Sequence, residues 1–228
     1  MPRTQALQDW ITQLFPGQAP DLAPASADAS FRRYFRITLA DGSTRVIMDA
    51  PPEHEDCRPY LQVARLLDDA GVHVPRVFAE DLQQGFLLLS DLGNTTYLDA
   101  LKAHPDSAPA LYREASAALV TLQKASRPGV LPEYDRALLS RELQLFPDWY
   151  IARHLGITLS ETQQAALTGV FEKILANNLA QPKVFVHRDY HSRNLMISTP
   201  NPGVLDFQDA VYGPHTYDLV SLFRDAYI

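Results

Sequence analysis

Apolar residues in the first fifteen positions recur at intervals of one or three residues, as they do on one face of an amphipathic helix. The positions concerned are Leu7, Trp10, Ile11, Leu14 and Phe15. Thr4 stands ahead of them in the place of an N-cap, and Pro16-Gly17 would stop a helix directly after them. We therefore predict that the chain opens with a helix from Thr4 to Phe15.

Strand and helix patterns then alternate up to residue 92. Residues 29–39 are rich in aromatic and β-branched side chains, and Asp41-Gly42 after them is a strong signal for a hairpin turn. The predicted elements are strands at 29–39 and 44–48, a helix from Tyr60 to Gly71, and strands at 77–80 and 86–89 that turn through residues 83–85. This first region should therefore contain two hairpins separated by a helix.

The pattern changes after Gly93, where helical periodicity dominates. The predicted helices lie at 95–104, 107–125, 138–155 and 160–179, the short strands at 184–186, 195–197 and 204–205, and a last helix begins near Thr216. We expect an α+β protein with two lobes. A small β-rich N-lobe would span residues 1–92, and a mainly helical C-lobe would span residues 93–228.

Composition narrows the classes of protein that the chain could represent. Its 228 residues carry a formal net charge of −7 with no run of basic residues, so non-specific nucleic-acid binding is not expected. No segment has the roughly 18 apolar residues of a membrane span, and the N-terminus lacks the apolar core of a signal peptide. The single cysteine, Cys57, excludes an intrachain disulfide. We expect a cytoplasmic protein with no membrane contact and no obligate protein partner.

The candidate chemistry concentrates between His187 and Asn194 and at Asp206, which follows at the end of a predicted strand. The pattern is H-x-D-x-x-x-x-N and then, twelve residues later, D. Phosphoryl transfer needs positioned groups and neutralised phosphate charge more than covalent chemistry. Asp189 could orient an attacking hydroxyl, while the oxygens of Asn194 and Asp206 suit Mg²⁺. The turn at 199–203 should bring these two ligands to the same end of one hairpin.

A different metal site would use His187, Asp189 and His191, which alternate along one face of an extended segment. Two histidines and a carboxylate suit Zn²⁺ or Fe²⁺. This alternative leaves Asn194 and Asp206 without a role. Phosphoryl transfer therefore explains more of the pattern.

The segments HRDYHSRN and DFQDA resemble the catalytic and metal-binding loops of the aminoglycoside phosphotransferase and choline kinase superfamily, small-molecule relatives of the protein kinases. More narrowly, the segments ADASFRRYFRI, VIMDAPPE, LLLSDLG, VHRDYHSRNLM and VLDFQDAVYGPHTYDLVSL resemble bacterial kinases of cell-wall recycling, which phosphorylate N-acetylmuramate and N-acetylglucosamine at the C1 hydroxyl. The resemblance covers nearly the whole chain. It implies a bilobal protein-kinase-like fold, ATP as phosphoryl donor, Mg²⁺, and an amino sugar as acceptor.

The resemblance also implies a role for each matching residue. Asp189 would be the catalytic base or the residue that orients the hydroxyl, and Asn194 and Asp206 would bind Mg²⁺. His187 and Asp218 would hold the catalytic loop in place. The implied nucleotide-binding residues are Phe31, Arg32 and Arg33 over the phosphates, Met48 in the sheet, and Ser90, Asp91 and Leu92 along the adenine-binding hinge.

The chain departs from the family pattern in several places. There is no lysine before Lys102, and Met48 occupies the place of the lysine that pairs with nucleotide phosphates in protein kinases. Arg32, Arg33 or Arg36 could replace it, because a guanidinium binds phosphate oxygens through two donors at once. The predicted phosphate loop has no glycine. Family members generally continue beyond the last helix, so we expect an incomplete C-lobe and a weakened acceptor site.

Two other functions stay open at this point. One is an aminoglycoside or amino-alcohol kinase, and the other is a nucleotide-binding pseudokinase scaffold, which the missing lysine would suit. The presence of Asp189, Asn194 and Asp206 together favours an active enzyme. Consumption of ATP with an amino sugar would exclude the scaffold.

Overall fold

The computed structural model describes residues 3–18, 20–27 and 31–228. In chain order its elements are α1 (Arg3–Leu14), β1 (Ala23–Ala27), β2 (Arg33–Thr38), β3 (Thr44–Asp49), α2 (Cys57–Asp69), β4 (Val77–Asp81), β5 (Phe86–Ser90), α3 (Tyr97–Ala103), α4 (Ala108–Lys124), α5 (Arg136–Leu145), α6 (Glu161–Ala180), β6 (Lys183–Val186), β7 (Leu195–Met196), β8 (Gly203–Val204), β9 (Val211–Pro214) and α7 (Tyr217–Phe223). A 3₁₀ turn at Pro105–Ser107 precedes α4, and a π-helical segment at Phe146–His154 follows α5.

The chain forms two compact units, each with most of its contacts inside itself. The first comprises the described residues up to Ala118, together with 192–209 and the last two residues; the second comprises 119–191 and 210–226. These units are bounded differently from the lobes expected from the sequence. The functional division after residue 92 therefore stays a prediction.

The first unit is built on an antiparallel five-stranded sheet with the order β1-β2-β3-β5-β4. The turn between β2 and β3 lies where Asp41-Gly42 predicts it. Gly42 has a φ of 80°, a conformation that favours glycine, and the backbone N–H of Ser43 donates to Asp41 Oδ1 at 2.9 Å. Both predicted hairpins of the first region are therefore present.

Helix α1 packs its apolar face on this sheet, as the spacing of its apolar residues predicts. The buried cluster consists of Leu7, Trp10, Ile11, Ile37, Ile47, Phe86 and Leu88. The rings of Trp10 and Phe86 lie 5.6 Å apart. Burial of these side chains supplies the hydrophobic stabilisation of the first unit, at roughly 25 cal/mol for each Å² of apolar surface removed from water.

The second unit combines helices α5, α6 and α7 with the strand pair β6–β9. Its buried cluster consists of Tyr134, Leu139, Leu175, Val186 and Val211. In the antiparallel pair, Phe185 lies opposite Tyr212 and Val186 lies opposite Val211. This packing fixes the end of β6, from which the segment containing Asp189 continues.

Four details differ from the sequence predictions. Helix α1 begins at Arg3, whose side chain bonds to Asp49 in the sheet, so Thr4 lies inside the first turn and is not the N-cap. The predicted helix at 138–155 divides near Pro147, which lacks a backbone donor. Strands β1 and β9 were not expected, because APASA has no strong strand former and Gly and Pro interrupt the sequence VYGP. Of the predicted strand at 29–39, residues 29 and 30 lie outside the described residues.

Candidate active site

The short hairpin β7–β8 carries the two residues expected to bind metal. Leu195 pairs with Val204, which places Asn194 just before one strand and Asp206 just after the other. The backbone N–H of Leu205 donates to the carbonyl oxygen of Asn194 at 2.9 Å, and Asn194 Nδ2 lies 3.5 Å from Asp206 Oδ2. The hairpin thus brings Asn194 and Asp206 together, as their spacing requires.

Two backbone features hold this hairpin in shape. A Cβ at Gly203 would lie 2.8 Å from Leu92 Cδ1 and 2.9 Å from Ser198 Oγ, so a larger residue would require these two side chains to move. Asp206 has a φ of 61°, in the left-handed region that few residues other than glycine adopt. Aspartate tolerates this conformation better than most residues do. Gln208 Nε2 donates to Asp206 Oδ1 at 2.9 Å and helps to orient the carboxylate.

The donor atoms at this hairpin suit a hard cation. Asn194 offers an amide oxygen and Asp206 offers carboxylate oxygens, and Mg²⁺ in proteins is commonly bound through one or two such groups plus substrate phosphates. Among residues 3–18, 20–27 and 31–228, no group of three or more His, Cys, Asp or Glu side chains could hold a metal ion. The alternative zinc or iron site is not supported, and its His187 is buried with its ring edge-on to Tyr190.

Arg32 is the candidate arginine that lies beside Asp206. Its guanidinium is 4.0 Å from Asp206 Oδ1 and 3.8 Å from Glu55 Oε2, and its side chain is only 12% exposed. Glu55 lies just before α2 in a run of acidic residues. No spacing rule distinguishes Glu55 from its neighbours, so sequence reasoning missed it.

The other two candidate arginines bind carboxylates elsewhere in the first unit. Arg33 forms a salt bridge with Asp49, which is fully buried and also bonds to Arg3. Arg36 donates to Asp91 through Nε at 2.5 Å and through Nη2 at 2.9 Å. Each of these guanidinium groups therefore has a structural partner in the absence of any ligand.

The predicted hinge, Ser90 to Leu92, is fixed by these contacts. Ser90 Oγ accepts from the backbone N–H of Arg76 at 2.9 Å, and Leu92 is buried. Burial opposes ionisation of Asp91, but hydrogen bonds that include those from Arg36 outweigh it, so the pKa of Asp91 is lowered. Arg36 also donates to the carbonyl oxygen of Gly93 at 3.0 Å. Arg36 therefore supports the hinge backbone.

Met48 and Phe31, the remaining nucleotide-binding candidates, differ in exposure. Met48 is 1% exposed and lies opposite Leu87 in the sheet. Phe31 is 61% exposed, and its ring stacks on His54 with centroids 4.4 Å apart. A buried methionine cannot supply the charge of a lysine. The phosphates would therefore have to be neutralised by other residues.

The segment with Asp189 belongs to the second unit and is held by Asp218. The buried carboxylate of Asp218 accepts from the backbone N–H of His187 at 2.7 Å and from that of Arg188 at 2.9 Å. Burial raises the pKa of Asp218 to about 7; these two hydrogen bonds oppose the shift, and the negative charge of Asp189 adds to it. Asp189 itself is exposed.

No helix among the described residues is both long enough and apolar enough to cross a membrane.

Comparison with known proteins identifies close relatives. An N-acetylmuramate/N-acetylglucosamine kinase of Pseudomonas aeruginosa is 55% identical over 99% of this chain and 69% of the relative. Kinases of the same name from Pseudomonas putida and Neisseria meningitidis are 55% and 52% identical, over 93% and 100% of this chain. The chain spans 62% of the former relative's length and 68% of the latter's.

Solved structures show the same fold at low sequence identity. An ADP-bound aminoglycoside phosphotransferase superposes with a TM-score of 0.70 at 15% identity, covering 97% of this chain and 76% of that chain. A GDP complex of an aminoglycoside 2'-phosphotransferase gives 0.68 at 17% identity, covering 99% and 79%. The expected α+β kinase-like fold is confirmed. Residues 21–228 match the phosphotransferase enzyme family, APH. The chain therefore belongs to this family and, within it, to the N-acetylmuramate/N-acetylglucosamine kinases.

Proposed function

We propose that the protein transfers the γ-phosphoryl group of ATP to the anomeric C1 hydroxyl of N-acetylmuramate and N-acetylglucosamine. The observation that carries this assignment is the 55% identity, over 99% of the chain, to a kinase named for these two sugars. The residues suited to phosphoryl transfer, Asp189, Asn194 and Asp206, are all present. The reaction would serve the recycling of peptidoglycan sugars in the cytoplasm.

Asn194 and Asp206 would hold Mg²⁺ through oxygen atoms at the end of the β7–β8 hairpin. When bound, Mg²⁺ supplies positive charge that neutralises and orients the β- and γ-phosphates. The 3.5 Å approach of the two side chains and the bond from Gln208 to Asp206 support this assignment.

Arg32 would take the place of the missing lysine at the nucleotide phosphates. Its guanidinium lies within 4.0 Å of Asp206, while Arg33 and Arg36 bind Asp49 and Asp91. Glu55 would orient Arg32, as a carboxylate on the neighbouring helix orients the lysine of protein kinases. The phosphates would therefore meet a guanidinium beside the metal-binding residues.

Asp189 would orient the attacking hydroxyl and receive its proton. The C1 oxygen forms a bond to the γ-phosphorus, the bond from that phosphorus to the β–γ bridging oxygen breaks, and ADP leaves. An anomeric hydroxyl is more acidic than an ordinary alcohol, so a carboxylate of modest basicity suffices.

The hinge backbone from Ser90 to Leu92 would bind the adenine edge, with Phe31 near the phosphates.

One other function has an observation in its favour. A nucleotide-binding scaffold without activity would agree with the absence of lysine before Lys102. The position of Arg32 weakens this alternative, because it supplies a positive charge beside Asp206 without a lysine.

The direct experiment measures ADP release from Mg-ATP with separate acceptors. We expect release with N-acetylglucosamine and N-acetylmuramate, and only background release with kanamycin or choline. Asp189→Asn serves as the matched control, since a contaminating kinase would be unaffected by it. Release with kanamycin or choline alone would favour the other kinase class. Nucleotide binding without release on any acceptor would favour the scaffold.

A further inference from the structure

Arg188, directly before the proposed catalytic base, has a backbone φ of 79°. This left-handed region is uncommon for residues other than glycine and is retained only where surrounding contacts enforce it. Because Asp189 is the next residue, the conformation of Arg188 sets the direction in which the chain presents that carboxylate. The contacts that hold Arg188 therefore bear on catalysis.

The backbone N–H and the carbonyl oxygen of Arg188 both form hydrogen bonds. Its N–H donates to Asp218 Oδ1 at 2.9 Å, and its carbonyl oxygen accepts from Ser221 Oγ at 3.2 Å. These contacts leave the direction of the long side chain to be fixed separately. Arg188 Nη2 donates to Glu142 Oε1 at 2.6 Å, and the guanidinium lies 5.8 Å from the centroid of the Tyr134 ring.

Glu142 is itself anchored from two other segments. Its second oxygen, Oε2, accepts from the hydroxyl of Tyr134, which precedes α5, and from the hydroxyl of Tyr217, the first residue of α7, at 3.0 Å. The Tyr134 side chain is fully buried, and its ring centroid lies 5.1 Å from that of Tyr217. One carboxylate therefore links α5, α7 and the catalytic loop.

Glu142 and Arg188 form a partly buried pair of opposite charges. The side chains of Glu142 and Arg188 are only 23% and 25% exposed, so water screens their attraction less than it screens a surface pair. Burial raises the pKa of Tyr217 to about 12 and raises that of Tyr134 further. Both hydroxyls thus remain donors to Glu142 at neutral pH.

We propose that Glu142 is a positioning residue for phosphoryl transfer, which holds the left-handed turn before Asp189 by binding the guanidinium of Arg188. This inference rests on the proposed function. An added phosphate that pairs with arginine can order a loop in the same way. Here a carboxylate of the chain itself makes the pairing.

The test is Glu142→Gln, which keeps the size of the side chain and removes its charge. We expect kcat to fall on the order of tenfold while the KM for ATP stays within about twofold, because nucleotide contacts are unaltered. Glu172→Gln is the matched control: Glu172 pairs with Arg136 at 2.8 Å, and both side chains are more than half exposed. It should leave kcat and KM unchanged. Tyr217→Phe, which removes one hydroxyl, should lower kcat less than Glu142→Gln does.

A double-mutant cycle with Arg188→Gln separates positioning through Arg188 from general weakening of the fold. Because the two side chains act as one pair, the double variant should lose about as much kcat as the worse single variant. Two results would overturn the inference while leaving the proposed function intact. One is a fold-loss of kcat in the double variant equal to the product of the fold-losses in the two single variants. The other is a wild-type kcat in Glu142→Gln and Tyr217→Phe. A wild-type protein that releases no ADP with either sugar would overturn both.

Discussion

The guanidinium of Arg32 lies 4.0 Å from the carboxylate of Asp206. This pair joins the residue directly before β2 to the end of the β7–β8 hairpin, within the first unit. The proposed ligands of the two side chains have opposite charge, since the arginine would bind phosphate and the carboxylate would bind Mg²⁺. A nucleotide phosphate with its metal ion would therefore contact both. This relationship singles out Arg32 among three arginines that the sequence leaves equivalent.

Arg32→Ala should raise the KM for ATP by about tenfold or more, because a largely buried guanidinium at the phosphates is lost. Arg32→Lys should recover only part of the loss, since an ammonium lacks the two-pronged geometry. Arg65→Ala is the matched control, because Arg65 pairs with Glu80 at an exposed site. Steady-state kinetics with varied ATP measure the effect. An unchanged KM in Arg32→Ala, with a raised KM in Arg33→Ala, would transfer the role to Arg33.

Asp189→Asn and Asp206→Ala should fail in different ways. The first should lose at least ~2.7 kcal/mol of transition-state stabilisation, a hundredfold in rate, while Mg-ATP binding is nearly intact. The second should weaken magnesium and nucleotide binding together, because it removes an anionic ligand. Turnover assays combined with calorimetric titration of Mg-ATP distinguish the two. Near-full turnover in Asp189→Asn would show that another residue is the base.

Asp218 should make stability depend on pH. Its pKa of about 7 in the folded protein lies above the ordinary value of 3.8 that applies when the chain is unfolded. The folded state therefore binds a proton that the unfolded chain releases, and stability falls as pH rises from about 4 to about 7. In Asp218→Asn this contribution is absent. Urea denaturation near pH 5 and near pH 8 should show a larger loss for the wild type; equal losses would contradict the assigned burial effect.

Local sequence patterns predicted much of the fold because each was a direct consequence of periodicity or turn chemistry. The apolar spacing of α1, the Asp41-Gly42 turn and the proximity of Asn194 to Asp206 are examples. Strands β1 and β9 were missed because they form by pairing with β2 and β6. The residues of β1 give no strand signal, and in β9 Gly213 and Pro214 interrupt the short run that Val211 and Tyr212 begin. Tertiary pairing overrides local propensity in both cases.

The proximity of candidate site residues was predictable from sequence where they lie at a fixed spacing. It was not predictable where a long side chain could reach several partners. The sequence does not distinguish between Arg32, Arg33 and Arg36. In the structure, Arg33 and Arg36 form salt bridges with Asp49 and Asp91, which are distant in sequence. Glu142 contacts Arg188 across 46 positions of the chain. No spacing rule reaches that far.

The position of the transferred phosphate tests the proposed function most directly. A sugar 1-phosphate has no free reducing end, whereas a sugar phosphorylated at C6 keeps one. N-acetylglucosamine should be the limiting reactant and ATP should be in slight excess. Once one equivalent of ADP per sugar has been released, a reducing-sugar assay and phosphorus NMR should be run on the same product. We predict loss of reducing power and a phosphorus signal coupled to the C1 proton. Full reducing power after one equivalent of ADP per sugar has been released would contradict the anomeric assignment.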